Sequence, residues 1–377
     1  MEKVIVFQVK IYYDNQSIPN VPVPAGRPAG TGTSDLRKET IMKKKILLIA
    51  TGGTIASQNS GNGLIPLIRA EEILSYIPDV YEFCSPSAVQ ICNIDSTNME
   101  PRHWNMIMKA VRDNYEAYDG FVIAHGTDTM AYTAAALSYM IQNSSRPIVI
   151  TGAQKSVDLE ITDAKTNLLD SFRYAADDGS QGVQIVFGGK VIAGTRARKI
   201  RSKSYNAFDS IDFPFLATIQ DGRIMRYIPA VPFEEPVAFY EKMNDNIFLM
   251  KLIPGISPKG LKFLFKQYDA IIVESFGVGG IPASISDMFY EMYETHPEKV
   301  IIMATQVTHE GSDMTVYEVG NKIKKECRFL ESYDMTLEAV IAKTMWLLAN
   351  RGTEKSDINQ LFYKKINYDL IFNGFSG

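Results

Sequence analysis

The 377-residue chain has little cysteine and little histidine, and each shortage excludes a kind of chemistry. Its three cysteines, Cys84, Cys92 and Cys327, are odd in number and never stand as Cys-x-x-Cys. That argues against a disulfide framework and a thiolate zinc site, and favours a reducing compartment. The four histidines, His103, His125, His296 and His309, never fall at the spacing of helical metal ligands. No apolar run approaches the roughly 18–20 residues of a membrane helix. Met42-Lys43-Lys44-Lys45 before Ile46–Ala50 imitates a signal peptide, but the apolar run stops at Thr51-Gly52-Gly53, short of the roughly 7–15 residues of a true h-region. A net charge of −4 leaves no general basic surface for nucleic acid or anionic lipid. The sequence has no Gly-Lys-Ser/Thr phosphate loop and no Gly-x-Ser-x-Gly nucleophile elbow. The expectation is a cytoplasmic protein without metal, membrane or nucleic-acid partner.

What is present is ordinary globular material, 46% hydrophobic and 22% charged, in a length that suits about two domains. Residues 1–41 differ from the rest. Ser17–Ser34 is mostly Pro, Gly, Ala, Thr and Ser, too poor in apolar surface to offset its ordering entropy. A loosely ordered extension is expected there, with Met42 a candidate native start. From Lys45 onward, short apolar runs (Lys45–Thr51, Ala88–Ile94, Phe121–Ala124, Ile148–Thr151) alternate with helical patterns (Glu71–Ile77, a helix opened by Pro101, Thr129–Ile141, Asp163–Ala176). This order predicts an α/β fold whose larger N-terminal domain, residues 42–230, has a mainly parallel sheet between helices. The proline-rich stretch from Ile228 to Pro236 marks a linker at 231–245. A smaller α/β domain, 246–377, resumes the alternation with strands at Ile247–Leu252, Ala270–Glu274 and Val300–Ala304 and helices at Ser284–Tyr293 and Thr336–Ala349.

Ligands of open α/β sheets bind beyond the carboxyl ends of strands. Two hydroxyl-bearing turns stand at such ends: Thr51-Gly52-Gly53-Thr54-Ile55-Ala56 and His125-Gly126-Thr127-Asp128-Thr129. Glycine lets the backbone turn sharply and bring amide N–H groups close to a ligand. Either turn alone reads more readily as structure, a tight turn or an N-cap for the next helix. The pair, in neighbouring strand–helix units, points to one shared crevice. His125 is expected to orient a loop rather than act as a base. Without a histidine base, hydroxyl chemistry must draw on a lysine or a buried carboxylate. Taken on composition alone, Lys199, in a run with Arg196, Arg198, Arg201 and Lys203, reads as a solvated basic face. Asp95 could be an ordinary turn residue, and Glu274 is left unassigned.

These motifs resemble those of the L-asparaginase family, in its bacterial and archaeal threonine-nucleophile branch. The two turns are similar to the family's signatures. Asp95-Ser96-Thr97 resembles its substrate-binding turn, and Thr151-Gly152-Ala153-Gln154 follows in the family's order. Gly194–Ile200 resembles the segment carrying the catalytic lysine, and Phe276–Pro282 and Asp334–Ala339 resemble C-terminal-domain motifs. The likeness runs from Lys43 to Gly377, and Met130-Ala131-Tyr132 with Asp334-Met335-Thr336 resemble the cytoplasmic type I enzymes. The sequence departs from the pattern at Leu64, where many members have a tyrosine in a mobile loop.

The resemblance implies hydrolysis of the side-chain amide of free L-asparagine, with L-glutamine secondary, by a homodimer or homotetramer that uses no cofactor. It assigns Thr54 as nucleophile and Thr127, Asp128 and Lys199 as the second catalytic group. Asp95, Ser96 and Thr97, with Thr127 and Asp128, would hold the amino acid. A hydroxyl activated through Lys199, and glycine-turn amides facing the oxyanion, suit that reaction. Two rivals are an asparaginase-like subunit of a tRNA-dependent amidotransferase and a catalytically inactive asparagine-binding protein.

Overall fold

The computed structural model describes residues 43–59, 64–66, 68–316, 329–351 and 355–371. The expectations for residues 1–41, for Cys327 and for the side chain of Leu64 fall outside them. Lys45–Gly52 forms the first strand, buried from Ile46 onward. Its Ile, Leu and Ala residues suit a strand covered on both faces. It lies between two parallel neighbours, Ser85–Ile94 and Gly120–Ala124. An eight-stranded sheet continues outward from Gly120–Ala124 through Pro147–Thr151, Gly182–Phe187, Lys190–Ala193, Ala217–Gln220 and Arg223–Arg226. Pairing is parallel as far as Gly182–Phe187 and antiparallel beyond it. The change of direction comes at Gly188-Gly189, whose φ values of 57° and 71° suit the two-residue hairpin turn the right-handed strand twist favours.

Helices cover both faces. On one, Pro101–Asp113 buries Trp104, Ile107, Met108 and Val111 against Leu47, Ile49 and Phe121. Pro101 occupies the first turn, where its missing N–H costs nothing. On the other, Ala164–Ala175 contributes Leu168 and Phe172 to a second core with Ile46, Leu48, Val122 and Val149. The alternating residues of one strand thus feed two cores, as period-2 geometry requires. Met130–Met140 is apolar nearly all round and buried on almost every side, packed against Leu337–Asn350 from the C-terminal part.

The second sheet has four parallel strands, Ile247–Lys251, Ala270–Ser275, Val300–Thr305 and Leu330–Glu331. Ala283–Thr295 and Leu261–Gln267 cover one face, with Phe265 and Phe289 in contact at 5.3 Å between ring centroids. The fold is therefore α/β as expected, a larger mainly parallel domain followed by a smaller one. Sequence patterning missed the short helix Leu261–Gln267 and the antiparallel pair Ala197–Lys199 and Phe208–Ser210. Three-residue strands are too short to show a period.

Candidate active site

The order of the first sheet reverses at Lys45–Gly52, because the chain goes next to Ser85–Ile94 on one side and only then to Gly120–Ala124 on the other. Such a switch point opens a crevice at the carboxyl ends of the strands. Thr54, Asp95-Ser96-Thr97 and His125–Thr129 all follow strands that end there. The crevice is closed at its base by backbone against backbone. A Cβ on Gly53 would lie 2.4 Å from both Cα and N of Gly126, and one on Gly52 would lie 2.6 Å from the Ile94 nitrogen. Gly52 and Gly53 also hold φ at 101° and 79°, in the left-handed region. The Gly53 N–H donates to the Ile94 carbonyl at 3.0 Å. Thr54 follows, half-buried, at the start of a single 3-10 turn.

Ser96, 3% exposed, joins two of the turns. Its Oγ accepts from the Asp128 N–H at 3.3 Å, and its carbonyl accepts from Thr129 Oγ1 at 2.7 Å. Thr129 stands at the N-cap of Met130–Met140, yet its hydroxyl bonds to Ser96 rather than to a helix N–H. The turn thus supplies the N-cap residue, as its composition suggests, but without the side-chain cap bond. Asp95 does make the local turn: its Oδ1 accepts from the Thr97 N–H at 2.9 Å and from Thr97 Oγ1 at 3.0 Å. Asp95 and Thr97 are exposed, whereas Ser96 between them is not.

Lys199 reaches in from the Ala197–Lys199 strand. Its Nζ donates to Thr127 Oγ1 at 2.8 Å and to Asp128 Oδ1 at 2.6 Å. The Thr127 hydroxyl in turn points its proton toward Gln154 Oε1 at 3.4 Å, while Gln154 Nε2 donates to the Ser204 carbonyl at 3.1 Å. The lysine side chain is 16% exposed and the aspartate 58%. A half-open carboxylate beside a shielded ammonium leaves one side free for a charged partner. The run around Lys199 is not a solvated basic face. Arg196 is fully buried, Arg198 Nε lies 3.6 Å from Glu338 Oε1, and only Arg201 and Lys203 are exposed. Glu274 is 4% exposed and holds Lys251 at 3.1 Å.

His125 is wholly buried. Burial disfavours the imidazolium and lowers the pKa to about 4, opposed by the bond to Gly126. A neutral ring has one N–H, and the Gly126 carbonyl, 2.6 Å from Nδ1, can only accept. Nδ1 therefore carries the proton, and Nε2 accepts from Thr133 Oγ1 at 2.9 Å, which itself accepts from Trp104 Nε1 at 3.0 Å. Every donor in this chain has one direction. Its end point is the Gly126 carbonyl, so both ring nitrogens are taken up in holding the turn, the orienting place expected of His125.

Residues 45–231 match the asparaginase N-terminal family, and residues 246–362 match the glutaminase/asparaginase C-terminal domain. The chain belongs to the asparaginase family. Two kinds of relative are among its matches. An L-asparaginase of Thermococcus kodakarensis is 37% identical over 308 residues, covering 81% of this chain and 93% of that one. One of the subunits of the glutamyl-tRNA(Gln) amidotransferase of Methanococcus maripaludis is 31% identical over 390 residues, covering 97% of this chain and 91% of that one. Among solved structures, the thermostable L-asparaginase of Thermococcus kodakarensis superposes with a TM-score of 0.81 at 33% identity, over 87% of this chain and 99% of that chain. L-asparaginase I of Vibrio cholerae gives 0.78 at 26% identity, over 88% and 100%. This member of the asparaginase family is an amidohydrolase. Among the described residues, no helix is long and apolar enough to cross a membrane.

Proposed function

We propose that the chain hydrolyses the side-chain amide of free L-asparagine to L-aspartate and ammonia, through an ester on Thr54. The observation that carries this reading is Lys199 Nζ held between Thr127 Oγ1 and Asp128 Oδ1, on the turn that meets Gly53 at Gly126. Thr54 Oγ attacks the amide carbon, and its proton passes to the departing nitrogen, which leaves as ammonia. Water ordered by Thr127 and Lys199 then attacks the ester carbonyl and frees aspartate and the Thr54 hydroxyl. Backbone N–H groups of the glycine turns face the oxyanion in both steps. Asp128, half exposed, receives the substrate's α-ammonium, and Asp95, Ser96 and Thr97 border its carboxylate end. We place the enzyme in the cytoplasm as a homodimer or homotetramer.

A site fitted around the shorter side chain discriminates against one added methylene by roughly 1–3 kcal/mol. Purified protein is therefore expected to release ammonia from L-asparagine faster than from L-glutamine, by about 10- to 200-fold in kcat/KM. Equal rates on both amides, or none on either, would remove the reading. The amidotransferase relatives favour a second one, in which the chain passes ammonia to a partner acting on charged tRNA. Their likeness covers up to 97% of this chain. That reading predicts ammonia release that stays low in the isolated protein and rises when the partner is supplied.

A further inference from the structure

Immediately before the Ala197–Lys199 strand, the chain is fastened to its own C-terminal segment. Arg196 is fully buried and spreads its guanidinium over three acceptors. Nε donates to the Tyr368 carbonyl at 2.6 Å, Nη1 to the Asp334 carbonyl at 2.6 Å, and Nη2 to Asp334 Oδ2 at 2.7 Å. Thr195 adds two bonds: its Oγ1 donates to the Asn367 carbonyl at 2.5 Å, and its carbonyl accepts from Thr336 Oγ1 at 2.8 Å. The Arg196 main chain is fixed as well, its carbonyl accepting from the Ile211 N–H at 2.9 Å. Lys199 lies three residues on, in a strand whose only ladder partner among the described residues is the equally short Phe208–Ser210. So short a pair does not hold its own register.

The acceptors lie on an unusual piece of backbone. Asn367 and Tyr368 hold φ at 48° and 64°, consecutive non-glycine residues in the left-handed region. That conformation is costly for a tyrosine and persists only where its surroundings over-determine it. Here they do. Asn367 Nδ2 donates to Ser138 Oγ and to the Val183 carbonyl, both at 2.8 Å, and the Tyr368 ring stacks on Phe213 at 4.9 Å. The left-handed pair turns two successive carbonyls toward Thr195 and Arg196. Asp334 is held in turn by the Ile371 N–H at 3.1 Å.

We infer that Arg196, with Thr195, is a positioning residue for Lys199: the C-terminal segment Asn367–Ile371 and Asp334 clamp the turn that leads into the lysine's strand and so set where its ammonium meets Thr127 and Asp128. The inference rests on the proposed amidohydrolase chemistry only for its effect on rate; the placement of Lys199 is a separate observable. Lysine at 196 keeps the charge but cannot span the planar three-acceptor fork. Misplacing a catalytic group by about 1 Å costs on the order of 10²-fold in rate.

The test uses the full chain with Arg196→Lys and, should that variant fail to fold, Thr195→Val, which keeps the volume and removes the bond to Asn367. Trace acetylation with acetic anhydride, read lysine by lysine by mass spectrometry, reports how closely each ammonium is held. Lys199 is expected to acetylate several-fold faster in the variants, while shielded Lys299 and exposed Lys251, both away from the C-terminal segment, keep their parental rates. For asparagine hydrolysis, kcat is expected to fall about 10- to 100-fold with KM within about threefold of the parent. Parental reactivity of Lys199 in a folded variant would overturn the inference. So would a parallel rise at Lys299, which would mean general loosening. A parent inactive on asparagine would instead remove the functional reading and leave the acetylation result standing.

Discussion

Gly53 and Gly126 touch backbone to backbone: a methyl group on Gly53 would lie 2.4 Å from the Gly126 Cα. That contact brings two turns, 73 positions apart in the chain, into one crevice. Its tolerance for change is small, because a Cβ on Gly126 would in turn lie 2.6 Å from Ser96 Oγ.

Gly53→Ala is therefore expected to combine strain at a positive φ with a clash against main chain, at a cost of about 1–3 kcal/mol or more. Gly126→Ala should displace Ser96 and with it the Asp128 N–H. Both variants should lose most activity and melt earlier than the parent. A Gly53→Ala protein with parental denaturation midpoint and rate would show that the turns can separate at no cost.

Lys199→Ala and Thr127→Ala should each lower turnover by roughly 10²–10⁴-fold, the usual reach of a general acid–base group. Neither side chain fills a large apolar volume, so far-UV circular dichroism should stay parental. Steady-state ammonia release is the measurement. A Lys199→Ala enzyme as fast as the parent would end the proposed mechanism.

His125 makes the protein sensitive to acid in a defined window. Its pKa is about 4 when folded against an ordinary 6.5, so between those values the unfolded chain binds a proton that the folded chain does not. Stability from this residue is complete above pH 6.5 and is lost as pH falls toward 4, on the order of 3 kcal/mol in all. Asp170, raised by burial to about 6, works in the opposite sense over much of that range. The useful quantity is the difference between the parent and His125→Asn in urea titrations at pH 7 and pH 5. The parent should lose more stability on acidification than the variant.

Lys343 and Asp369 form an ion pair at 2.6 Å with both side chains at 0% exposure. Asp369 also accepts from Tyr139 OH at 3.1 Å and from the Ile366 N–H at 2.9 Å, so the pair pins the C-terminal segment to Met130–Met140 and Leu337–Asn350. Lys343→Met leaves a buried carboxylate without its cation and should cost about 3–5 kcal/mol. Lys343→Met with Asp369→Leu should recover part of that loss, because neither charge of the pair then remains buried. Denaturant midpoints of the two variants decide the matter, and equal midpoints would show that the carboxylate is not the source of the cost.

Local pattern carried much of this architecture. Apolar runs bounded by glycine and proline marked the strands at Lys45, Gly120 and Pro147, and 3.6-residue spacing marked the buried face of Pro101–Asp113, because side-chain alternation and helical periodicity are properties of neighbouring residues. The glycine–threonine turns were legible for the same reason, as were the motifs that resemble the asparaginase family. What the sequence could not decide is which residues meet across the fold. Composition read Arg196 and Lys199 as parts of one basic run, yet one is sealed against Asp334 and Tyr368 and the other bridges Thr127 and Asp128. Thr129 reads as a helix cap by type and stands at that position, but its hydroxyl donates to Ser96 instead of serving the helix. Hydrogen bonds between residues 33, 71 or 138 positions apart depend on strand order and on close main-chain approach, neither of which a linear pattern encodes. Tertiary structure alone decided that main chain meets main chain where Gly53 approaches Gly126, and that a short, weakly paired strand delivers the lysine to the crevice the two turns share.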